Sequence, residues 1–293
     1  LLNMNWTMIT VFALLSLAAS SLDAKKILAH YMPWYASKPV SGQWGWHWTM
    51  GRFNPDVVTS NGTPEIASHY HPIVGAYDSC DPVVLEYHVL LMKIAGIDGV
   101  IVDWYGTEDF YDYAAINRST RMLFDAAQRA GLEFCICYED QAIGKKVEQG
   151  RIEAGNAVAQ ARKDIAFLAT RYFPHPEYLR HEGRPVLMVY GPQFFMNGAQ
   201  WSSIFSVLPD PPCFVTLDHL ISPVADGAFA WPPMWMTTNG IVTLDALDRY
   251  LSNFEAARTN WNIMVGVAVP QFHDVYGDTG GHSYGRILPH DGT

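Results

Sequence analysis

Short apolar runs recur along the chain, and most are followed by a stretch whose apolar positions return every three or four residues. The first kind of pattern predicts buried strands and the second predicts helices. Seven runs read as strands: Lys26–Tyr35, Gly99–Gly106, Glu133–Asp140, Arg184–Pro192, Cys213–His219, Gly227–Pro233 and Trp261–Phe272. Helical spacing covers Pro82–Gly96, Ser119–Gly131, Ala154–Phe173 and Thr243–Asn260. Pro82 opens the first helix and Gly96 closes it, the expected asymmetry, and Ser119 is placed to cap the second. Strands apolar along their whole length and alternating with helices predict a parallel sheet covered by helices. The predicted fold class is α/β, a (β/α)8 barrel. Only seven strands are found, so the reading expects a barrel lacking its last strand and helix through truncation after Thr293.

Several of these strands end on polar or aromatic residues: "DWYG" at Asp103, "YED" at Tyr138, "DH" at Asp218 and "PQFHD" at Pro270. In a barrel the C-terminal ends of the strands carry the active site. Side chains alternate between the two faces of a strand. If Glu139 points inward, Cys137 and Cys135 do too, while Phe134, Ile136, Tyr138 and Asp140 point away. The same alternation puts Asp103, Ile101 and Gly99 on one face. No glycine-rich phosphate fingerprint follows a strand, so a nucleotide site is poorly supported.

The formal net charge of −10 changes the picture by removing nucleic acid as a partner, since phosphate binding needs a basic face. The 10 Trp, 15 Tyr and 14 Phe often lie beside Gly, Pro and His rather than in periodic runs. Rings in such loops suit stacking on the apolar faces of sugars. Residues 8–20, "MITVFALLSLAAS", form an apolar run followed by small residues, read as a secretory signal with cleavage near 19–24. It is too short for a convincing membrane span. No Lys or Arg precedes it, and Met4 reads as the natural start. The expected division is 1–24 signal peptide and 25–293 barrel, exported to the periplasm or outside the cell, with no membrane span in the mature chain. Cys80, Cys135, Cys137 and Cys213 are few for a disulfide scaffold. Cys135 and Cys137 share one strand face and read as free thiols. "NGT" at Asn61 and "NRS" at Asn117 are glycosylation acceptors if the host glycosylates.

The blocks "AHYMPWY", "HYHPIVGAYDSCDPVVLEYHVLLMKIAGIDGVIVDWYG", "GLEFCICYED" and "RPVLMVY" resemble glycoside hydrolase family 99, the endo-α-mannosidase and endo-mannanase group, and the broader 71/99-like set. The likeness covers Ala29 to about Tyr190 well and the remainder loosely. It implies a (β/α)8 barrel that cuts oligosaccharide or polysaccharide, usually inside the chain. The family's third-strand motif reads like His-Ile-Glu-Pro-Tyr-Glu, its first Glu a general base and its second a general acid. The first matches Glu139; the second falls on Ala142. The resemblance is therefore to a divergent relative. A later Trp-Asn-Asp-Trp-like segment of such relatives is missing here, which feeds the expectation of truncation.

Glycoside cleavage generally needs two carboxyl groups. Glu139 is the first candidate, against the plainer reading of a wet acid at a strand end. Asp103 is the second, against a helix cap or a ligand for a substrate hydroxyl. Candidate sugar-binding residues are Tyr31, Trp34, Tyr35, Trp46, His47, His69, His71, Tyr77, Trp104, Tyr105, Tyr138, Asp140, Asp218, His219, Trp231 and His273. Their plainer reading is loop packing. His69 and His71 lack a third ligand at clear spacing, so no metal and no cofactor are expected. Arg184 precedes its strand, at the end away from the site, and reads as structural. The leading expectation is an exported, endo-acting glycoside hydrolase using carboxylate acid/base chemistry. Two alternatives stay open: a non-catalytic carbohydrate-binding protein on a degenerate barrel, and a polysaccharide lyase with a Tyr or His base.

Overall fold

The computed structural model describes residues 25–269 and 272–287; the expected signal peptide lies outside them. Seven parallel strands pair in chain order in one curled sheet. They are β1 (Leu28–Tyr31), β2 (Gly99–Trp104), β3 (Glu133–Tyr138), β4 (Arg184–Val189), β5 (Cys213–Leu217), β6 (Gly227–Phe229) and β7 (Ile263–Val265). Each falls inside one of the seven apolar runs. Helices α1 (Pro82–Ile94), α2 (Tyr113–Arg129), α3 (Gln141–Glu148), α4 (Ala157–Arg171), α5 (Gly198–Phe205) and α6 (Leu244–Ala256) lie between them. This is the strand–helix alternation of a (β/α)8 barrel. Among the described residues β7 and β1 do not pair with each other.

Local chemistry sets most boundaries. Asp81 accepts a hydrogen bond from Val83 N at 2.9 Å to cap α1, and Gly96 follows the helix with φ +73°, a left-handed conformation that favours glycine. Thr243 caps α6 by accepting from Ala246 N. Two expectations need correction. Ser119 is no cap: α2 begins at Tyr113, and Ser119 lies inside it, buried and 3.0 Å from Cys80 Sγ. The seventh apolar run does not continue as one strand. Only Ile263–Val265 joins the sheet, while Phe272–His273 pairs antiparallel with Arg286–Ile287, which also pairs with Ile241–Val242.

Most of the core is one large cluster between sheet and helices. Phe134 of β3 packs on Phe124 of α2 with ring centroids 4.3 Å apart. Midway along β3 and β4 the Tyr178 hydroxyl accepts from Ile136 N and donates to Val186 O, tying the two strands together. Arg184 grips Asp226 through both terminal nitrogens, and Asp226 also accepts from Phe214 N. This clamp sits at the N-terminal end of the strands, and Arg184 does not line the cavity described below. All four cysteines are free.

Gly227 marks the tightest approach in the sheet. A β-carbon there would lie 1.8 Å from Ile263 O. Gly227→Ala is expected to cost about 1–3 kcal/mol through overpacking and to loosen β7. Thermal unfolding beside wild type checks this, and an unchanged Tm would contradict the close pairing.

Candidate active site

The alternation along β3 decides which groups reach the inside. Asp103 of β2 pairs in register with Cys137 of β3, and Glu139 is the next inward residue. Tyr138 and Asp140 point the other way. Tyr138 donates to Asp164 of α4 at 2.8 Å. The Asp140 carboxylate accepts from Gln193, Phe194 and Phe195 N, each at 2.9 Å. Both residues are fully buried. Trp104 also faces the helices, donating to Asn117 Oδ1 at 3.1 Å. Tyr138, Asp140 and Trp104 are therefore corrected: they pin the wall and do not line the cavity.

These outward groups fix the loops that shape the mouth. Asp164 accepts from Thr107 N and Thr107 Oγ1 at 3.0 and 2.7 Å. Gly106 just before has φ +94°, and a β-carbon there would lie 2.7 Å from Asp164 Oδ2. The loop after β2 is thereby held against α4, leaving Tyr105 to turn its hydroxyl onto Asp103 Oδ2 at 2.9 Å. Asp140 does the same for the loop after β4.

Inside lies a cavity of about 1070 Å³. Of the expected residues, Glu139, Asp103, Tyr31, Trp34, Tyr35, Trp46, His47, Tyr77, Tyr105, His219, Trp231 and His273 line it. Trp34 stacks parallel on His47 at 4.2 Å, and His47 Nε2 lies 3.2 Å from Asp112. His273 arrives from the hairpin described above rather than from the end of β7. His69, His71 and Asp218 are off the wall. His69 stacks on His273 and bonds Asp274 O, supporting that hairpin from outside. His71 bonds Pro64 O, and Asp218 is engaged with His219 and Tyr250. His30, Gln141, Tyr190, Gln193, Trp235, Tyr276 and Tyr284 also line the cavity and were not expected. Register with β2 would have found His30, which pairs with Ile101 on the face of Asp103. Tyr276 and Tyr284 depend on how a long loop folds back, which no local pattern reports.

The electrostatics centre on two buried acids. Glu139 and Asp103 are buried side by side, each within reach of the other's charge, and Gln141 Nε2 donates to Glu139 Oε2 at 2.7 Å. Burial raises the proton affinity of both carboxyls, and the Asp103 charge raises that of Glu139 further. No Lys or Arg is among the described residues lining the cavity. The pair therefore holds on to a proton, as two carboxyls do when they cannot both ionise. Burial, then the two neighbouring carboxylates, pushes the Tyr105 and Tyr190 hydroxyls up as well. His30 is pushed down to about 4 by burial. Ala142 lies outside this constellation, in an apolar cluster with Phe110, Tyr113 and Ile116.

The buried pair makes a stability prediction. Both carboxyls bind their proton more tightly folded than unfolded. The stability this gives is full below the ordinary carboxylate range and is lost as pH rises through the raised values. Glu139→Gln removes one member. Its Tm should gain on wild type between pH 5 and pH 8 by at least about 2 °C, the shift that roughly 1 kcal/mol produces in a domain of this size. A difference that stays flat over that range contradicts the buried pair.

Comparison with known proteins joins this geometry to a family. The model of Glycosyl hydrolase family 99 matches residues 22–210. The glycoprotein endo-alpha-1,2-mannosidase of Mus musculus is 22% identical over 193 residues, 61% of this chain and 39% of that protein. The uncharacterized protein WxcX of Xanthomonas campestris pv. campestris (strain B100) is 25% identical over 185 residues, 59% of this chain and 25% of that protein. The chain thus spans about two fifths or less of the length of these relatives. Among solved structures, the GH99 endo-alpha-mannosidase of Bacteroides thetaiotaomicron superposes with a TM-score of 0.60 at 20% identity, covering 84% of this chain and 71% of that one. At that identity the likeness speaks for the fold. The family match covers well over half of the chain: it belongs to glycosyl hydrolase family 99.

Proposed function

We propose that this chain is the barrel of an exported, endo-acting glycoside hydrolase and that Glu139 is the carboxyl that meets the glycosidic bond. One observation carries the reading: Glu139 directly follows β3 on the wall of an aromatic cavity, buried beside Asp103. Carboxyls that flank a bond from opposite sides stand about 5–5.5 Å apart in retaining enzymes and about 6.5–9.5 Å apart in inverting ones. The mutual influence of the Asp103 and Glu139 carboxyls suits a pair closer than either. Asp103 and Glu139 therefore act as one unit on one side of the substrate. The proton they share goes to the departing sugar oxygen, and the emptied pair then takes a proton from the attacking water. Tyr105 holds Asp103 in place through this exchange. Trp34, Trp46 and Trp231 offer ring faces to sugars. Export is supported by the apolar run 8–20 alone. No described helix is long and apolar enough to cross a membrane.

A non-catalytic carbohydrate-binding role has one observation in its favour. Position 142, where the family motif has its second acid, carries an alanine packed between helices. A lyase is disfavoured. Tyr105 and Tyr190 hold their protons tightly, which leaves a wall histidine as its base, and no Lys or Arg among the described lining residues would neutralise a uronate.

Reducing-end release from a panel of fungal, plant and algal polysaccharides tests the proposal on the full-length protein. Wild type should cut at least one member, and Glu139→Gln should be slower by about 100-fold or more, the scale of a lost acid/base group. Equal rates would remove Glu139 from the chemistry. Binding without release by folded wild type would favour the carbohydrate-binding role, and an unsaturated product would establish the lyase.

A further inference from the structure

We propose that the floor of this cavity is a binding site for a primary ammonium group, and that the glycan taken here carries a free amine on the unit seated over it. The word glycan rests on the hydrolase reading; the ammonium site does not.

Three strands supply the floor. A ring nitrogen of His30 on β1, a carboxylate oxygen of Asp103 on β2 and Sγ of Cys137 on β3 all lie within 4.8 Å of one another. Two of these residues carry a buried atom without a hydrogen-bond partner: His30 Nε2 and Asp103 Oδ1. Asp103 is only 2% exposed, and its other oxygen is taken by Tyr105. An acceptor buried without a donor costs about 1–3 kcal/mol, so the floor favours whatever brings donors to it.

An ammonium brings three donors and no acceptor. With bonds of about 2.9 Å in tetrahedral directions, it spans acceptors about 4.7 Å apart. The three groups of the floor lie within that reach of one another. A neutral imidazole offers one acceptor nitrogen, the thiol a weak one, and the carboxylate supplies the charge. A sugar hydroxyl has one proton to give and cannot satisfy all three.

The rest of the wall agrees on sign. Asp103, Glu139 and Asp274 line the cavity, with no Lys or Arg among the described lining residues. A cation enters unopposed, whereas a uronate or sulfate meets like charge. Trp231 sits against His30 at 4.8 Å between ring centroids, and aromatic faces add attraction for a cation.

Calorimetric titration of full-length wild type with glucosamine, mannosamine and galactosamine, each beside its parent hexose, tests the site. At least one amino sugar should bind about tenfold tighter than its parent, the gain of a charge-assisted hydrogen bond, and Asp103→Asn, checked for folding by circular dichroism, should erase that gain. Galacturonate should bind more weakly than galactose. The proposal fails if no amino sugar outbinds its parent, if the advantage survives in Asp103→Asn, or if galacturonate binds as well as galactosamine. It also fails if a chelator abolishes the advantage and zinc restores it, because the floor would then hold a metal ion. Should Asp103→Asn not fold, the wild-type comparisons decide alone. Hydrolysis of a neutral glycan with no amine preference would sink this inference and leave the hydrolase; an amine preference without hydrolysis would do the reverse.

Discussion

The two-residue period of β3 is the constraint on which the site depends. A strand shows alternate side chains to opposite faces, so six consecutive residues are sorted without further instruction. Cys135, Cys137 and Glu139 go inward. Ile136, Tyr138 and Asp140 go to the helices. The outward set does as much for the site as the inward set. Tyr138 reaches Asp164, which holds the loop after β2. Asp140 takes three backbone N–H groups of the loop after β4. A slip of one residue would exchange Glu139 for Asp140. It would put an acid against the helices where no amides wait and leave three loop amides unpaired.

The second feature is charge without counter-charge. Buried acids usually sit beside a cation or accept several hydrogen bonds. Asp140 and Asp164 follow that rule. Asp103 and Glu139 do not: one is bonded to a tyrosine, the other to a glutamine, and each faces the other's charge. Such an arrangement lowers stability at neutral pH and is the kind of local conflict that functional sites carry. It also explains why the cavity is both acidic and aromatic. Positive charge that develops on a sugar during cleavage, or that a ligand brings, finds nothing in the described wall to repel it.

Much of this was legible in the sequence because it is local. Seven apolar runs gave seven strands, and their polar endings pointed to the face that carries the cavity. Parity alone separated Glu139 from Asp140. What was missed has physical reasons. α3 follows β3 after two residues and is only eight residues long, too short for its spacing to stand out beside the acids. α5 did carry a signal, since Asn197 and Gln200 form a capping box before an apolar turn. The hairpin that brings His273, Tyr276 and Tyr284 to the cavity is a tertiary event. Asp274 closes it by accepting from Tyr276 N, Tyr284 N and Ser283 Oγ, and His69, more than two hundred residues earlier, stacks on it from below.

Ala142 bears on where any further proton transfer could come from. Its neighbours are Phe110, Tyr113 and Ile116, and one turn further along α3 Lys146 is buried with Nζ unpartnered, 5.6 Å over the Tyr113 ring. The corner between β3 and α3 is thus filled by apolar packing and a lysine stem, and it presents no group to the cavity at this position. A second proton-transfer group, if the reaction uses one, has to be delivered by the loops that build the far wall. His47, oriented by Asp112 and flattened against Trp34, His219, tilted against Trp235 at 4.0 Å, and His273 and Asp274 of the hairpin are among the ionisable side chains those loops place there. The work a single strand corner would do is then divided between a β3 carboxyl and loops after other strands. Such a division needs the loops to be rigid, and the buried carboxylates of Asp140 and Asp164 give that rigidity to two of them.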